Sequence, residues 1–74
     1  MDITWREQIK NIGGSKVARA MGVKYPTVHK YIKPGSDTLP RGKTRLLCRA
    51  MRQFLTDDEF EHFLNSLSSE IVSV

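Results

Sequence analysis

The 20 residues from Gly14 to Lys33 constrain the fold of this 74-residue chain more than any other stretch. They contain two short apolar segments, each about two helical turns long, on either side of a tight connection at residues 22–24. Apolar residues recur at spacings of three and four, which predicts two helices with one apolar face each. Gly22 can adopt a positive φ and end the first helix. Ala18 is small enough for the second helix to cross closely, so the two short helices are expected to stabilise each other.

Two helices joined in this way form a helix-turn-helix, and the stretch resembles the helix-turn-helix of phage Cro and lambda-type repressors. The resemblance rests on apolar, alanine and turn-glycine positions that agree in one register. Those motif-core positions are Val17, Ala18, Met21, Gly22, Val23, Val28 and Tyr31. The resemblance implies an all-α fold, a five-helix lambda-repressor-like DNA-binding domain with the helix-turn-helix at its second and third helices.

Capping and periodicity signals extend this prediction to five helices. Thr4 and Glu7, and again Thr56 and Glu59, have the spacing of a capping box, in which the two side chains satisfy the first N–H groups of a helix. Apolar residues at spacings of three and four follow each box. Pro40 suits the first position of a helix. The predicted helices cover approximately residues 4–12, 14–21, 25–32, 40–54 and 57–67.

The last two helices have apolar faces that predict core and dimer contacts. The expected inner stripe of the fourth helix is Leu47, Ala50, Met51 and Phe54. The candidates for dimer contacts are Phe60, Phe63, Ile71, Val72 and Val74. Residues 69–74 include β-branched apolar residues and show no helix signal. The domain is therefore expected to cover residues 1–68, followed by a short extended C-terminal tail at 69–74 that frays or packs across a dimer.

The net charge of +4 conceals two parts of opposite sign. Residues 1–53 contain all 12 Lys and Arg residues and only three acids, whereas residues 54–74 contain five acids and no base. Such a basic body favours a polyanionic partner; ordinary solvated charge on helix faces is the alternative. One cysteine, no Cys/His cluster and no apolar run of membrane length favour a cytoplasmic protein without a disulfide, a metal or a cofactor.

The family resemblance implies DNA contacts on the third helix, whose N-terminal end reaches base edges in the major groove. Its outward side is polar, mostly basic and free of carboxylates. The base-reading candidates are Lys24, Tyr25, Thr27, His29 and Lys30. The start of the second helix and the basic segment after the third contact the DNA backbone in such repressors. The phosphate candidates are Ser15, Lys16, Lys33, Arg41, Lys43, Thr44 and Arg45.

These features predict a sequence-specific double-stranded DNA-binding transcriptional regulator, a Cro-like phage or prophage repressor that binds a near-palindromic operator as a homodimer. It would act at the nucleoid of a bacterium or phage-infected cell, without a small-molecule ligand. The alternative is an antitoxin or adaptor that uses the helix-turn-helix for protein binding. An enzyme is the weakest option, because neither histidine has a carboxylate or nucleophile at a spacing that implies a site. His62 is expected to be solvated and Cys48 to be a small core or rim residue.

Overall fold

Helices form all the regular structure in the described part of the chain. A computed structural model describes residues 3–72, in which there are five helices and no strand. They are α1 (Trp5–Ile12), α2 (Gly14–Met21), α3 (Tyr25–Ile32), α4 (Thr44–Phe54) and α5 (Asp57–Val72). The all-α prediction is therefore confirmed, and the bounds of α1, α2 and α3 agree with those expected from the sequence.

The core forms where α1 and α2 meet the other helices. α2 packs against α1, α3 and α4, while α1 also packs against α3 and α5. The Trp5 indole joins three of these helices, because its ring lies 6.0 Å from that of Tyr31 and 6.5 Å, edge-on, from that of Phe63. Trp5 is fully buried, as expected of a core residue. The other fully buried apolar side chains include Ile9, Val17, Val28, Leu47, Ala50 and Met51.

The turn between α2 and α3 depends on Gly22. Its φ of 76° lies in the left-handed region, which a side chain at this position would strain. The backbone N–H of Gly22 donates to Arg19 at 3.1 Å, and that of Val23 donates to Ala18 at 3.0 Å, so the last carbonyls of α2 are satisfied. The side chains at the remaining motif-core positions are buried or pack against the core: Val17, Ala18, Met21, Val23, Val28 and Tyr31.

The fourth helix begins at Thr44, four residues later than the expected start at Pro40. Gly42 has a φ of 74°, and this left-handed residue is incompatible with a continuous right-handed helix from Pro40. Residues 40–43 instead form a turn, closed by the N–H of Lys43 donating to the carbonyl of Pro40 at 3.0 Å. The proline is fully buried at the start of this turn.

The expectation of an extended tail is also wrong, because α5 continues to Val72, past the predicted boundary at residue 68. Tertiary contacts explain the extension. The backbone N–H of Trp5 donates to the hydroxyl of Ser66 at 2.9 Å, and the carboxylate of Glu70 binds the side chains of Trp5 and Arg6. These bonds outweigh the weak helix preference of a segment rich in serine and β-branched residues. Among the dimer candidates, the side chain of Val72 and the whole of Val74 lie outside the described part of the chain.

Three further expectations about side chains are wrong. Phe54 is 40% exposed and does not complete the inner stripe of α4. Phe63 is fully buried between α1 and the rest of the core, so it is a core residue and has no surface for a dimer contact. His62 is half-buried, and its Nε2 lies 2.6 Å from the carbonyl oxygen of Ile3, so it ties the N-terminal segment to α5.

Candidate nucleic-acid interface

One side of α3 faces the core and the other faces solvent. Val28 and Tyr31 are buried, and Ile32 packs at the edge of the core. Pro26 lies in the first turn, where the missing N–H removes no helical hydrogen bond. No acid occurs within residues 8–36, so the outer side of the helix has no negative side chain of its own. The exposed residues of α3 and its two caps are Lys24, Tyr25, Pro26, His29, Lys30 and Lys33.

The five base-reading candidates differ in their exposure and in their side-chain contacts. Lys24, His29 and Lys30 are exposed, whereas Thr27 is half-buried. Tyr25 is 45% exposed, and its hydroxyl lies 3.2 Å from Nδ1 of His29, with the two rings 5.5 Å apart and tilted by 34°. The structure therefore places these residues along one helix and pairs two of them, a pairing that the sequence interpretation did not include.

The start of α2 lies directly against α3 because residue 14 has no side chain. A Cβ atom at Gly14 would lie 2.9 Å from Cε1 of Tyr25 and 3.1 Å from Cδ1 of Ile32. Ser15 and Lys16 follow and are exposed, so the phosphate candidates of α2 lie beside α3. Sequence reasoning missed this point of close approach, although a glycine as the first residue of a helix was a visible signal.

The second group of phosphate candidates lies in and after the turn that precedes α4. Arg41 and Arg45 are exposed and Lys43 is half-buried. The hydroxyl of Thr44 donates to the carbonyl of Pro40 at 3.0 Å, so its proton is engaged within the chain. Thr44 can therefore offer a phosphate only its backbone N–H at the start of the helix, not the hydroxyl proton that a side-chain contact requires.

The two groups of phosphate candidates lie at opposite ends of α4. Ser15 and Lys16 line a groove of about 520 Å³ together with Gln53 and Phe54, at the C-terminal end of that helix. Residues 41–45 lie at its N-terminal end. An α-helix of 11 residues is about 16 Å long.

The N-termini of the helices fall into two classes. The hydroxyls of Thr4 and Thr56 cap α1 and α5 by accepting the N–H groups of Glu7 at 3.2 Å and Glu59 at 3.3 Å, and acids occupy both first turns. In α2, α3 and α4 there is neither a side-chain cap nor an acid in the first turn. No side chain therefore satisfies the first N–H groups of these three helices, and no acid in their first turns faces the positive ends of their dipoles. In α3, however, Pro26 has no N–H and the N–H of Thr27 donates to the carbonyl of Lys24 at 3.0 Å, which leaves the N–H of Tyr25 for an anion.

Arg6 holds the C-terminal end of α3, a role that the sequence interpretation did not identify. Its guanidinium donates to the carbonyl of Tyr31 at 2.8 Å and to the carboxylate of Glu70 at 3.0 Å. The indole N–H of Trp5 donates to the other oxygen of the same carboxylate. These partners are as many as 65 positions apart in the chain, so no local spacing could have indicated the network.

Burial changes the titration of two side chains near the core. It raises the pKa of Tyr31 above its ordinary value of 10.0 and that of the Cys48 thiol above 9.0, because the ionised forms lose hydration. The half-buried thiol is therefore mostly protonated at neutral pH and a poor nucleophile.

Within residues 3–72, no group of three or more His, Cys, Asp or Glu residues is arranged to hold a metal ion. In the same part of the chain, no helix combines the length and apolar character needed to cross a membrane.

No protein-family model, curated protein or solved structure matches the chain. The fold and the surface define an all-α protein in which the third helix exposes a basic side without acids. Two further helices with uncapped N-termini, α2 and α4, carry exposed basic residues near their starts.

Proposed function

We propose that the protein is a sequence-specific double-stranded DNA-binding transcriptional regulator, a Cro-like repressor of phage or prophage type. In this proposal α2 and α3 form a helix-turn-helix of the lambda-repressor type, and α3 enters the major groove. The observation that carries the proposal is the contrast between capped and uncapped helix starts. Stable surface helices are normally capped, as α1 and α5 are. Three uncapped starts among basic residues favour an anionic partner with several phosphates.

The exposed side chains of α3 suit the acceptor-rich edge of a guanine. Lys24 and Lys30 would donate to guanine O6 and N7, which are the commonest specific partners of basic side chains in the major groove. The half-buried Thr27 would contact a base only through its hydroxyl or methyl group. Backbone contacts are assigned to six residues around α3, all exposed except the half-buried Lys43, and they would fix its register on the duplex. They are Ser15, Lys16, Lys33, Arg41, Lys43 and Arg45.

A homodimer is part of the proposal, with α5 as its contact surface. Leu64 and Ile71 are 37% and 42% exposed. They lie seven residues apart on one face, with Ser68 between them at the intermediate spacing of four. Phe60 contributes less, because its ring stacks on that of Phe63 at 6.2 Å and lies beneath the guanidinium of Arg52. The proposed seam is therefore Leu64, Ser68 and Ile71, while Phe63 belongs to the core.

Sedimentation of the Leu64→Glu, Ile71→Glu double variant tests this seam. We expect the variant to remain folded, because both side chains are exposed, and to sediment as a monomer at concentrations where the wild type is a dimer. The matched control is Asn65→Glu, which adds a carboxylate at an exposed neighbour of Leu64 that lies outside the seam. Unchanged dimerisation of the double variant would place the seam elsewhere.

The decisive test of the function is selection of bound sites from random duplex DNA. We expect a near-palindromic sequence with half-sites about 34 Å apart, one turn of the double helix. Binding should weaken steeply with added salt, because each neutralised phosphate releases counterions. If no duplex is enriched over the input pool at low salt, the protein is not a sequence-specific DNA-binding regulator.

An antitoxin or adaptor remains the second candidate, and the exposed apolar side chains of α5 and Phe54 favour it. Such a protein would bind a partner protein through these surfaces, and its α3 would not contact the partner. Alanine substitution of Lys24 and Lys30 separates the two candidates. In a DNA-binding regulator this substitution weakens binding to the selected duplex site. In an adaptor it leaves binding to the protein partner unchanged.

A further inference from the structure

We propose that Tyr25 is a positioning residue that holds His29 with a proton on Nε2. The outer side of α3 would then offer one fixed N–H donor to a purine acceptor, N7 or guanine O6. This inference rests on the proposed function, because it assigns a specificity role within the DNA-facing surface. It also differs from the sequence-based expectation that Tyr25 itself reads bases.

The hydrogen bond between the two side chains supplies the first part of the evidence. The Tyr25 hydroxyl lies 3.2 Å from Nδ1 of His29, so Nε2 lies on the far side of the imidazole ring. In the neutral ring one nitrogen carries a proton and the other accepts. When the phenol donates to Nδ1, the ring proton must be on Nε2. A second proton would enter at Nδ1 and reverse the bond to the tyrosine, and Nε2 would still be a donor.

The packing of Tyr25 supplies the second part. Its ring carbons Cε1 and Cδ1 lie 2.9 and 3.6 Å from the point where a Cβ atom of residue 14 would be. The tyrosine ring is therefore seated on the backbone of Gly14, at the start of α2, while its hydroxyl binds His29. A line of contacts from α2 to the middle of α3 thus fixes an imidazole that would otherwise rotate freely in solvent.

The chemistry of the major groove identifies what such a donor would read. Guanine presents acceptors at N7 and O6 and adenine presents one at N7, whereas cytosine presents a donor. A donor fixed on His29 would therefore favour a purine at one position of each half-site. Its neighbours on α3, Lys24 and Lys30, add positive charge but no geometric restraint on the imidazole.

Nitrogen-15 NMR of the histidine rings tests the bond without DNA. At about pH 8 we expect His29 in the wild type to show a protonated Nε2 and a hydrogen-bonded Nδ1. Tyr25→Phe keeps the ring but removes the hydroxyl, and should shift the Nδ1 resonance and admit the other tautomer. His62, the other of the two histidines, is the internal control. Identical His29 spectra in the two proteins would overturn the proposal.

Gly14→Ala tests the seat of the tyrosine ring in a second way. The added methyl group would lie 2.9 Å from Cε1 of Tyr25, so the ring must move although its hydroxyl is retained. We expect the His29 resonances to change while the helical circular dichroism persists. If they stay the same in a folded variant, Gly14 does not position the tyrosine.

The reading role is tested on the duplex site obtained by selection, with 7-deazapurines placed at each purine in turn. The wild type should lose affinity on the order of tenfold at the purine whose N7 accepts from His29, besides any purine that Lys24 or Lys30 contacts, since one hydrogen bond is lost there. Tyr25→Phe and His29→Ala should each abolish that discrimination while they retain the salt dependence of binding. Undiminished discrimination in Tyr25→Phe would overturn the positioning role. Failure of every duplex to bind would instead overturn the proposed function, whatever the NMR spectra show.

Discussion

At the scale of single residues, Lys30 and Lys43 have the same charge but different positions. Lys30 is exposed on α3, whereas Lys43 is half-buried as the N-cap residue of α4. In the proposed complex the first reaches a base edge and the second reaches a phosphate. Because phosphate contacts carry no direct sequence information, removing the two lysines should have different consequences.

Lys43→Ala should weaken binding to all sequences alike and reduce the slope of log K against log salt by about 0.9, the effect of one phosphate contact. Lys30→Ala should cost about 1–3 kcal/mol on the selected site and less on other sequences, since base discrimination is lost. Fluorescence anisotropy across a salt series measures both. Arg52→Ala is the control for charge, because that guanidinium lies over the Phe60 ring of α5. An unchanged salt slope for Lys43→Ala would contradict its phosphate role.

Tyr31 gives a prediction about alkaline pH. Burial raises its pKa in the folded protein above the ordinary value of 10.0, so above about pH 10 the unfolded chain releases the phenolic proton first. The contribution of Tyr31 to stability is therefore complete below pH 10 and is lost as the pH rises through the folded-state pKa. Urea denaturation from pH 8 to 11 should show this decline, which Tyr31→Phe should reduce. If Tyr31→Phe declines as steeply as the wild type, the phenol is not its source.

At the scale of elements, α2 and α3 form one unit because small residues let them approach. Ala18 is buried at 3% exposure, and Gly22 closes the helix in a left-handed conformation. Gly14 is a point of close approach between the two helices, where even a methyl group would contact the ring of Tyr25. Neither helix is long enough to persist alone, so their stability depends on this packing.

Replacing Ala18 by leucine should destabilise the fold by about 1–3 kcal/mol, because the larger side chain forces the helices apart. The matched control is Ala20→Leu on the same helix. Its side chain is half-buried at the edge of the core, and the change should remain within about 0.5 kcal/mol. Thermal melting of the two variants gives the comparison. Equal melting temperatures would show that α2 and α3 do not cross at Ala18.

At the scale of the whole molecule, the end of α5 supports the end of α3. Glu70 binds Arg6, which in turn donates to the last turn of α3 at the carbonyl of Tyr31. The Arg6 side chain is 15% exposed and that of Glu70 is 38% exposed, so solvent weakens the ion pair without removing it. The C-terminal segment is therefore connected to the proposed DNA-reading helix through two side chains of α1, Trp5 and Arg6.

Glu70→Ala should reduce stability by about 1 kcal/mol, since it leaves the Arg6 guanidinium and the Trp5 indole each short of one acceptor. It should also speed hydrogen exchange at the C-terminal end of α3, where the N–H of Lys33 bonds to His29 at 3.0 Å. Glu61→Ala removes an exposed acid from the same helix and is the control. Equal exchange rates in the two variants would mean that α5 does not support α3.

The sequence alone determined the features that depend on neighbouring residues. Periodicity located the five helices except for the start of α4 and the end of α5, capping boxes located the starts of α1 and α5, and Gly22 located the turn after α2. These signals are reliable because each acts within about one helical turn, where chain spacing dictates spatial distance. The basic, acid-free side of α3 also follows from spacing once the inward residues are known.

Only the tertiary structure decided the features that join distant parts of the chain. It extended α5 to Val72 through the bonds of Glu70, buried Phe63, and engaged His62 with the backbone of Ile3. It also seated Tyr25 on Gly14. The physical reason is the same in each case. The free energy of these contacts depends on residues of other helices. The sequence pattern of one segment does not show which of those residues will contact it.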